Sequence, residues 1–177
     1  HPLGSASRRL AAGASALGLS WVANDRAALS QSRVGRPACN YCGNCTRGCP
    51  RRDKGSADMT FIREAEATGK LSIITGAQVT RLLSDGSGRI TDVEIWYSND
   101  RRSERIPVNQ LILAGGAIES PRLLLASAND DWPTGLANRA GHVGQHFMET
   151  LFWSSSALAD LPLASFKALP SDSICWD

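Results

Sequence analysis

Four of the five cysteines lie in one short segment of this 177-residue chain. They are separated by two, two and three residues, and a proline follows the last: Cys39, Cys42, Cys45, Cys49 and Pro50. Thiolates at this spacing hold an iron–sulfur cluster in bacterial ferredoxins. The alternatives are buried structural thiols or disulfides, and zinc, although the separated cysteine pairs of a zinc ribbon are missing. The sequence therefore predicts a cysteine loop over residues 35–56, with its four thiols as candidate metal ligands.

A turn of small residues is the second candidate for chemistry. It joins an apolar strand at residues 111–113 to a helix, and its members are Ala114, Gly115 and Gly116, followed by Ser120 and Pro121. Small residues let the backbone approach a ligand, and a helix start offers unpaired N–H groups to an anion. Pro121 suits the first helical position, where its missing N–H costs nothing. The pattern predicts a nucleotide-binding turn, with a glycine turn selected only for close packing as the alternative.

Periodicity predicts the elements that position these two segments. Helical spacing indicates helices over residues 7–18, 59–68 and 120–128. Short apolar or alternating runs indicate an antiparallel meander with strands at residues 71–75, 78–83, 92–97 and 105–113. In the alternating strand, Val93, Ile95 and Tyr97 share one face, and Trp96 is an exception on the polar face. The expected fold class is α/β, with α and β elements mixed along the chain.

Composition restricts the partners. Nineteen basic and 17 acidic residues leave a formal charge of +2, which is too small a bias to indicate nucleic acid or an acidic membrane surface. The densest basic groups, residues 51–54 and 101–105, are interpreted as solvated turns. No apolar run approaches the length of a membrane-spanning helix. The first five residues show no secretory signal.

Several blocks of the chain, in this order, resemble the glucose-methanol-choline (GMC) family of FAD-dependent oxidoreductases, and among these the bacterial sugar and gluconate dehydrogenases. The blocks are the cysteine segment with Lys54-Gly55-Ser56, "AEATG" at 65–69, "GAQVTR" at 76–81, "LAGGAIESPRLLLAS" at 113–127 and "GHVGQHFMET" at 141–150. The last block departs from the family pattern, because His146 replaces an Asn and Glu149-Thr150 replaces an Asp-His pair.

The resemblance implies a two-domain FAD-binding fold, with an antiparallel β-meander and a strand that returns to the nucleotide-binding sheet. Residues 1–150 would be part of the FAD-binding domain, and residues 151–177 the truncated start of a substrate-binding domain. It also implies that Val79, Ala114, Gly115 and Gly116 line the adenine end of FAD, and that Ser120 and Pro121 shape the same wall.

The implied activity is oxidation of a CH–OH group of a sugar, sugar acid or polyol, with hydride transfer to FAD and an unknown electron acceptor. Some members of the family also carry an iron–sulfur cluster near the flavin. The family's Gly-x-Gly-x-x-Gly fingerprint and C-terminal His pair are not found in this chain, so no catalytic residue is assigned. His142 and His146 are interpreted as loop histidines.

We therefore expect an internal fragment that is inactive by itself. The alternatives are an iron–sulfur electron-transfer module and a non-catalytic remnant or binding module. Paired cysteines would indicate folding in an oxidising compartment, whereas an iron centre would fit the cytoplasm or export in the folded state. The sequence does not decide between cytoplasmic and periplasmic locations.

Overall fold

The computed structural model describes residues 1–176, which fall into two compact units. The N-terminal unit comprises residues 1–72 together with the described residues from Ser155 onward. The sheet unit comprises residues 73–154. The predicted boundary between a FAD-binding and a substrate-binding domain at residues 150 and 151 stays a prediction, and Asp177 lies outside the described residues.

The N-terminal unit contains two α-helices, a two-stranded sheet and the cysteine loop. Its elements are α1 (Ser5–Ala16), β1 (Trp21–Ala23), α2 (Phe61–Ala67) and β5 (Ser173–Cys175), with short 3₁₀ helices at Ala57–Met59 and Ser165–Lys167. Strands β1 and β5 pair antiparallel, with Val22 opposite Ile174.

Helix α1 begins two residues before the predicted start. The Asp172 carboxylate, from the segment before β5, accepts hydrogen bonds from the Gly4 N–H and the Ser7 hydroxyl. The Ser173 hydroxyl donates to the Ser7 oxygen at 2.8 Å. Ser7, the first residue of the predicted helix, lies buried inside the first turn, and a carboxylate distant in sequence satisfies the helix start.

The sheet unit is an antiparallel meander covered by one helix. Strands β2 (Ala77–Ser84), β3 (Ile90–Tyr97) and β4 (Arg102–Pro107) are ordered β2-β3-β4, and helix α3 (Gly116–Ala126) packs against β2. The buried core consists of Leu82, Val93, Ile95, Leu123 and Leu136. The mixed α/β character with an antiparallel meander is therefore confirmed.

The predicted alternation of β3 is confirmed. Val93 and Ile95 are buried and Tyr97 is half-buried, whereas Trp96 is exposed. The turn before β3 is organised by Asp85, whose carboxylate accepts hydrogen bonds from the N–H groups of Ser87 and Arg89. A side chain that pairs with the backbone two residues later is a common device for closing such a turn.

The strand predictions at residues 71–75 and 105–113 are wrong in part. Residues 71–75 form no strand, and Leu71, Ile73 and Ile74 are exposed. Strand β4 ends at Pro107, and the apolar residues 111–113 form no strand, with Ile112 82% exposed. Pro107 has no N–H for a ladder, and no strand within residues 1–176 pairs with residues 111–113. Apolar character alone cannot create a strand without a neighbour to pair with.

The prediction of a helix over residues 120–128 with Pro121 at its first position is also wrong. Helix α3 begins at Gly116, so Pro121 lies inside it. At that position the proline removes the N–H that would donate to the Ala117 carbonyl. The helix starts earlier because Gly115 and Gly116 already turn the chain, so Ser120 lies inside it as well.

Candidate functional site

The small-residue turn before α3 is held by one side chain. The Gly115 N–H donates a hydrogen bond to the Ser120 hydroxyl oxygen at 3.0 Å. A Cβ at position 115 would lie 3.3 Å from the Ser120 nitrogen and hydroxyl oxygen, which is a tight contact. Gly116 has a φ of +84°, a conformation that other residues adopt at a cost. The two glycines are therefore required for different reasons, the first for space and the second for backbone geometry.

The outer side of this turn is open. Ala114, Gly115 and Gly116 are exposed, and a Cβ at position 116 would meet no atom within 4 Å. The first N–H groups of a helix have no partner inside it, so those after Gly116 point to an open backbone surface. Glu119, the one acidic residue of the first turn, forms an ion pair with Arg122 at 2.7 Å. This geometry suits close approach of a flat or anionic group to the backbone.

Val79 lies on β2, at a point where the pairing with β3 is irregular. It is half-buried and opposite Ile95, but Arg81 then pairs with Glu94, which leaves Thr80 as the extra residue of a β-bulge. Both Val79 and Leu113, the residue just before the turn, pack against the buried core cluster. Val79 and Leu113 therefore pack against the same hydrophobic core of the sheet unit.

Ser127 joins α3 to β2, and sequence reasoning missed it. Its hydroxyl oxygen accepts a hydrogen bond from the Leu82 N–H at 2.9 Å, and its hydroxyl donates to the Leu123 carbonyl at 2.6 Å. The side chain is fully buried. Because β2 is an edge strand, its outward N–H groups need partners beyond the sheet. The sequence feature that could have indicated this role is a serine directly after the apolar run "LLLA".

The loop after α3 closes the C-terminal end of the helix. The Leu136 N–H donates to the Leu124 carbonyl at 2.9 Å, while Gly135 passes so close that a Cβ would lie 2.9 Å from the Leu125 Cα. The Asn138 side chain then accepts a hydrogen bond from the Val143 N–H at 2.9 Å. This segment therefore stabilises the helix that carries the turn.

The four clustered cysteines are free thiols, as is Cys175. Among residues 1–176, no three Cys, His, Asp or Glu side chains are grouped so that they could hold a metal ion. The iron–sulfur ligand set of Cys39, Cys42, Cys45 and Cys49 therefore stays a prediction, and an iron–sulfur cluster is not shown. Assays for iron and acid-labile sulfide in the purified protein distinguish a cluster from structural thiols.

A buried carboxylate stands among these thiols. Asp53 is 4% exposed, accepts a hydrogen bond from the Cys49 thiol at 3.3 Å, and lies 3.7 Å from the Arg51 guanidinium. Lys54 donates to the Cys45 carbonyl at 2.8 Å. The interpretation of residues 51–54 as a solvated turn is therefore wrong, because three of the four charged side chains, those of Arg51, Asp53 and Lys54, bond to other residues of the cysteine loop.

The environment of Cys39 disfavours its thiolate. Burial raises the pKa of the Cys39 thiol, and the negative charge of Asp53 and the proximity of Cys45 raise it further. The Tyr41 N–H, which donates to the Cys39 sulfur at 3.4 Å, opposes this increase. Thiolates are the reactive and metal-binding form of cysteine, so the loop as it stands keeps this residue protonated.

His142 and His146 are exposed, with ring centroids 6.2 Å apart. No third metal-binding side chain joins them within the described residues. The basic group at residues 101–105 also differs from the expected turn. Most of it lies in β4, where Arg105 pairs with Glu94 at 3.1 Å and Arg102 pairs with Glu104.

Comparison with known proteins identifies the family of this chain. The GMC oxidoreductase family model matches residues 3–149. The chain is 32% identical over 148 residues to the fructose dehydrogenase large subunit of Gluconobacter japonicus, covering 84% of this chain and 27% of that protein. It is 28% identical over 169 residues to paromamine 6'-oxidase of Streptomyces fradiae, covering 95% and 31%. It is 32% identical over 134 residues to 2-methyl-1,2-propanediol dehydrogenase of Mycolicibacterium austroafricanum, covering 75% and 24%.

The chain belongs to the GMC oxidoreductase family, whose matching domain binds FAD. It spans about a quarter to a third of the length of these relatives. The open turn at residues 114–116 fits such a cofactor, because it offers exposed backbone without side chains beyond a methyl group. No helix among the described residues is both long and apolar enough to cross a membrane.

Proposed function

We propose that the turn at residues 114–116 forms the wall against which the adenine end of FAD binds, with Val79 beside it and Ser120 and Pro121 shaping it. The observation that carries this proposal is the exposed backbone of Gly115 and Gly116, held open by the Gly115 N–H to Ser120 hydrogen bond. A backbone fixed in this way needs no rearrangement to contact a flat ring.

The roles of the six residues differ. Ala114, Gly115 and Gly116 contribute backbone and small surfaces, so they determine how closely a ring can approach. Ser120 positions the turn by accepting the Gly115 N–H. Pro121 restricts the backbone of α3, and Val79 supplies an apolar side chain from β2. We therefore expect that enlarging Ala114, Gly115 or Gly116 weakens FAD binding more than replacing Ser120 does.

We further propose that the full-length protein oxidises a CH–OH group of a sugar, sugar acid or polyol. The relatives named above are named for fructose, paromamine and a diol, and a further one is choline oxidase of Arthrobacter globiformis, 26% identical over 99 residues. Each of these compounds carries a hydroxyl group on carbon, which supports an alcohol as the reacting group.

FAD supplies hydride acceptance when it is bound. This chain is proposed to contribute binding and orientation, with residues 1–150 in the FAD-binding domain and residues 151–177 at the start of the substrate-binding domain. No side chain described here is assigned as the base that takes the hydroxyl proton.

The test is a substrate panel with the full-length protein. Reduction of an artificial dye acceptor is followed with fructose, gluconate, sorbitol, 2-methyl-1,2-propanediol and choline, each with and without oxygen. We expect turnover with at least one sugar, sugar acid or polyol, together with bleaching of the flavin absorbance when acceptor is omitted. Flavin that stays oxidised with every compound, in a protein that has bound FAD, would contradict the proposed activity while leaving the FAD site intact.

A further inference from the structure

A cleft of about 740 Å³ in the N-terminal unit is lined by five arginines and one acidic residue. The charged lining residues are Arg33, Arg36, Arg51, Arg52, Arg63 and Glu64. The whole chain carries a formal charge of only +2, so this one cleft concentrates positive charge far beyond the average of the molecule. Like charges brought together repel one another unless an anion separates them.

Two of these arginines are fixed by the fold. The Arg36 guanidinium donates to the carbonyls of Arg52 and Lys54, each at 2.8 Å. The Arg51 guanidinium donates to the Ala38 carbonyl at 3.2 Å and lies beside Asp53. Their bonds to backbone oxygens lie within the cysteine loop, so this wall of the cleft is held in place by the fold of that loop.

The guanidinium groups of the other three arginines are available to bind an anion. Within residues 1–176, the guanidinium groups of Arg33, Arg52 and Arg63 form no ion pair and no hydrogen bond. Arg33 and Arg36 flank a two-residue turn, and their N–H groups and carbonyls exchange hydrogen bonds at 2.9 Å. Arg63 comes from α2, a different segment of the chain. Arginines from separate segments thus line one cleft.

We infer that this arginine-lined cleft binds a small polyanion that carries two or more phosphate or carboxylate groups. Guanidinium groups pair with both kinds of group through two parallel hydrogen bonds. The volume lies within the range of small-ligand sites, which favours a compact molecule over a flat protein surface. The inference concerns only the N-terminal unit and does not depend on FAD binding in the sheet unit.

The experiment is isothermal titration calorimetry of the full chain with pyrophosphate and, separately, with citrate at constant ionic strength. The test variant is Arg33→Gln combined with Arg63→Gln, which removes two available guanidinium groups. The matched control is Arg9→Gln combined with Arg26→Gln, which removes the same charge from exposed residues of the same unit. Circular dichroism verifies that each variant is folded, and Arg63→Gln alone serves if the double variant is not.

We expect at least one of the two anions to bind the unaltered chain, with affinity reduced roughly tenfold or more in the test variant and little changed in the control. The tighter of the two anions identifies phosphate or carboxylate as the preferred group. Failure of both anions to bind would overturn the inference. Equal loss in the test and control variants would overturn it too, because it would show attraction by overall charge only. A poly-glutamate peptide is titrated in the same way, and binding of this peptide without binding of either small anion would overturn the inference in favour of a protein partner.

Discussion

The Ser127 hydroxyl oxygen accepts a hydrogen bond from the Leu82 backbone N–H at 2.9 Å, at a point where both residues are buried. This contact connects the end of α3 to the edge strand β2, on which Val79 lies three residues earlier. The strand carrying Val79 and the helix that follows the small-residue turn are therefore positioned by one polar side chain inside an apolar core.

Replacing Ser127 by alanine is expected to destabilise the sheet unit. The Leu82 N–H would be buried without a partner, and an unsatisfied buried donor costs about 1–3 kcal/mol. Urea unfolding of the full chain measures the change in the free energy of unfolding. Ser103→Ala, at an exposed position of β4, should change it by less than about 0.5 kcal/mol. Equal effects of the two substitutions would show that the Ser127 bonds are not stabilising.

Replacing Gly135 by alanine is expected to destabilise the chain by about 2–4 kcal/mol. Its φ is +109°, and the added Cβ would lie 2.9 Å from the Leu125 Cα. The control is Gly13→Ala in α1, where nothing lies within 4 Å of the added Cβ. That substitution should stabilise by about 0.5–1 kcal/mol, because alanine has the higher helix propensity. A Gly135→Ala protein with unchanged thermal and urea midpoints would rule out the close approach of this loop to α3.

Asp53→Asn is expected to make Cys39 more reactive near neutral pH. Burial is the first cause of the raised pKa of Cys39, and the Asp53 charge adds to it. Removing that charge lowers the pKa, so a larger fraction of the thiol is thiolate at any pH below it. Alkylation of Cys39 by iodoacetamide, followed by mass spectrometry across a pH series in metal-free protein, measures the change.

A shift of the whole alkylation profile toward lower pH is the predicted result. Opening of the loop would also lower the pKa of Cys39 by exposing the thiol, so amide hydrogen exchange of residues 35–56 is measured in parallel. Faster exchange there in Asp53→Asn would contradict the electrostatic explanation. Asp58→Asn, at an exposed position nearby, should leave the profile where it is.

The features that sequence predicted correctly depend on neighbours along the chain. The alternation of Val93 and Ile95 with polar residues determines which face of β3 is buried, and the Asp85 turn closes through bonds over two to four residues. Both are local patterns, so one sequence suffices to predict them. The resemblance to the GMC family also rests on contiguous blocks, and the family match confirms it.

The features that sequence did not predict depend on contacts between distant segments. Residues 111–113 have the composition of a buried strand, but a strand also needs a partner to pair with. The burial of Asp53 depends on a loop that folds back over cysteines up to 14 residues earlier. Ser127 bonds to a strand 45 residues away.

The most direct test of the account is the flavin content of the purified full-length protein after Ala114→Phe. Ala114 is exposed on the open side of the turn, so a phenyl ring there should block the proposed adenine wall without disturbing the core. Ala126→Phe, at an exposed position near the other end of α3, is the control. We predict that Ala114→Phe loses its flavin absorbance while Ala126→Phe retains it, with both variants folded. Full flavin content in Ala114→Phe would contradict the assignment of this turn to FAD.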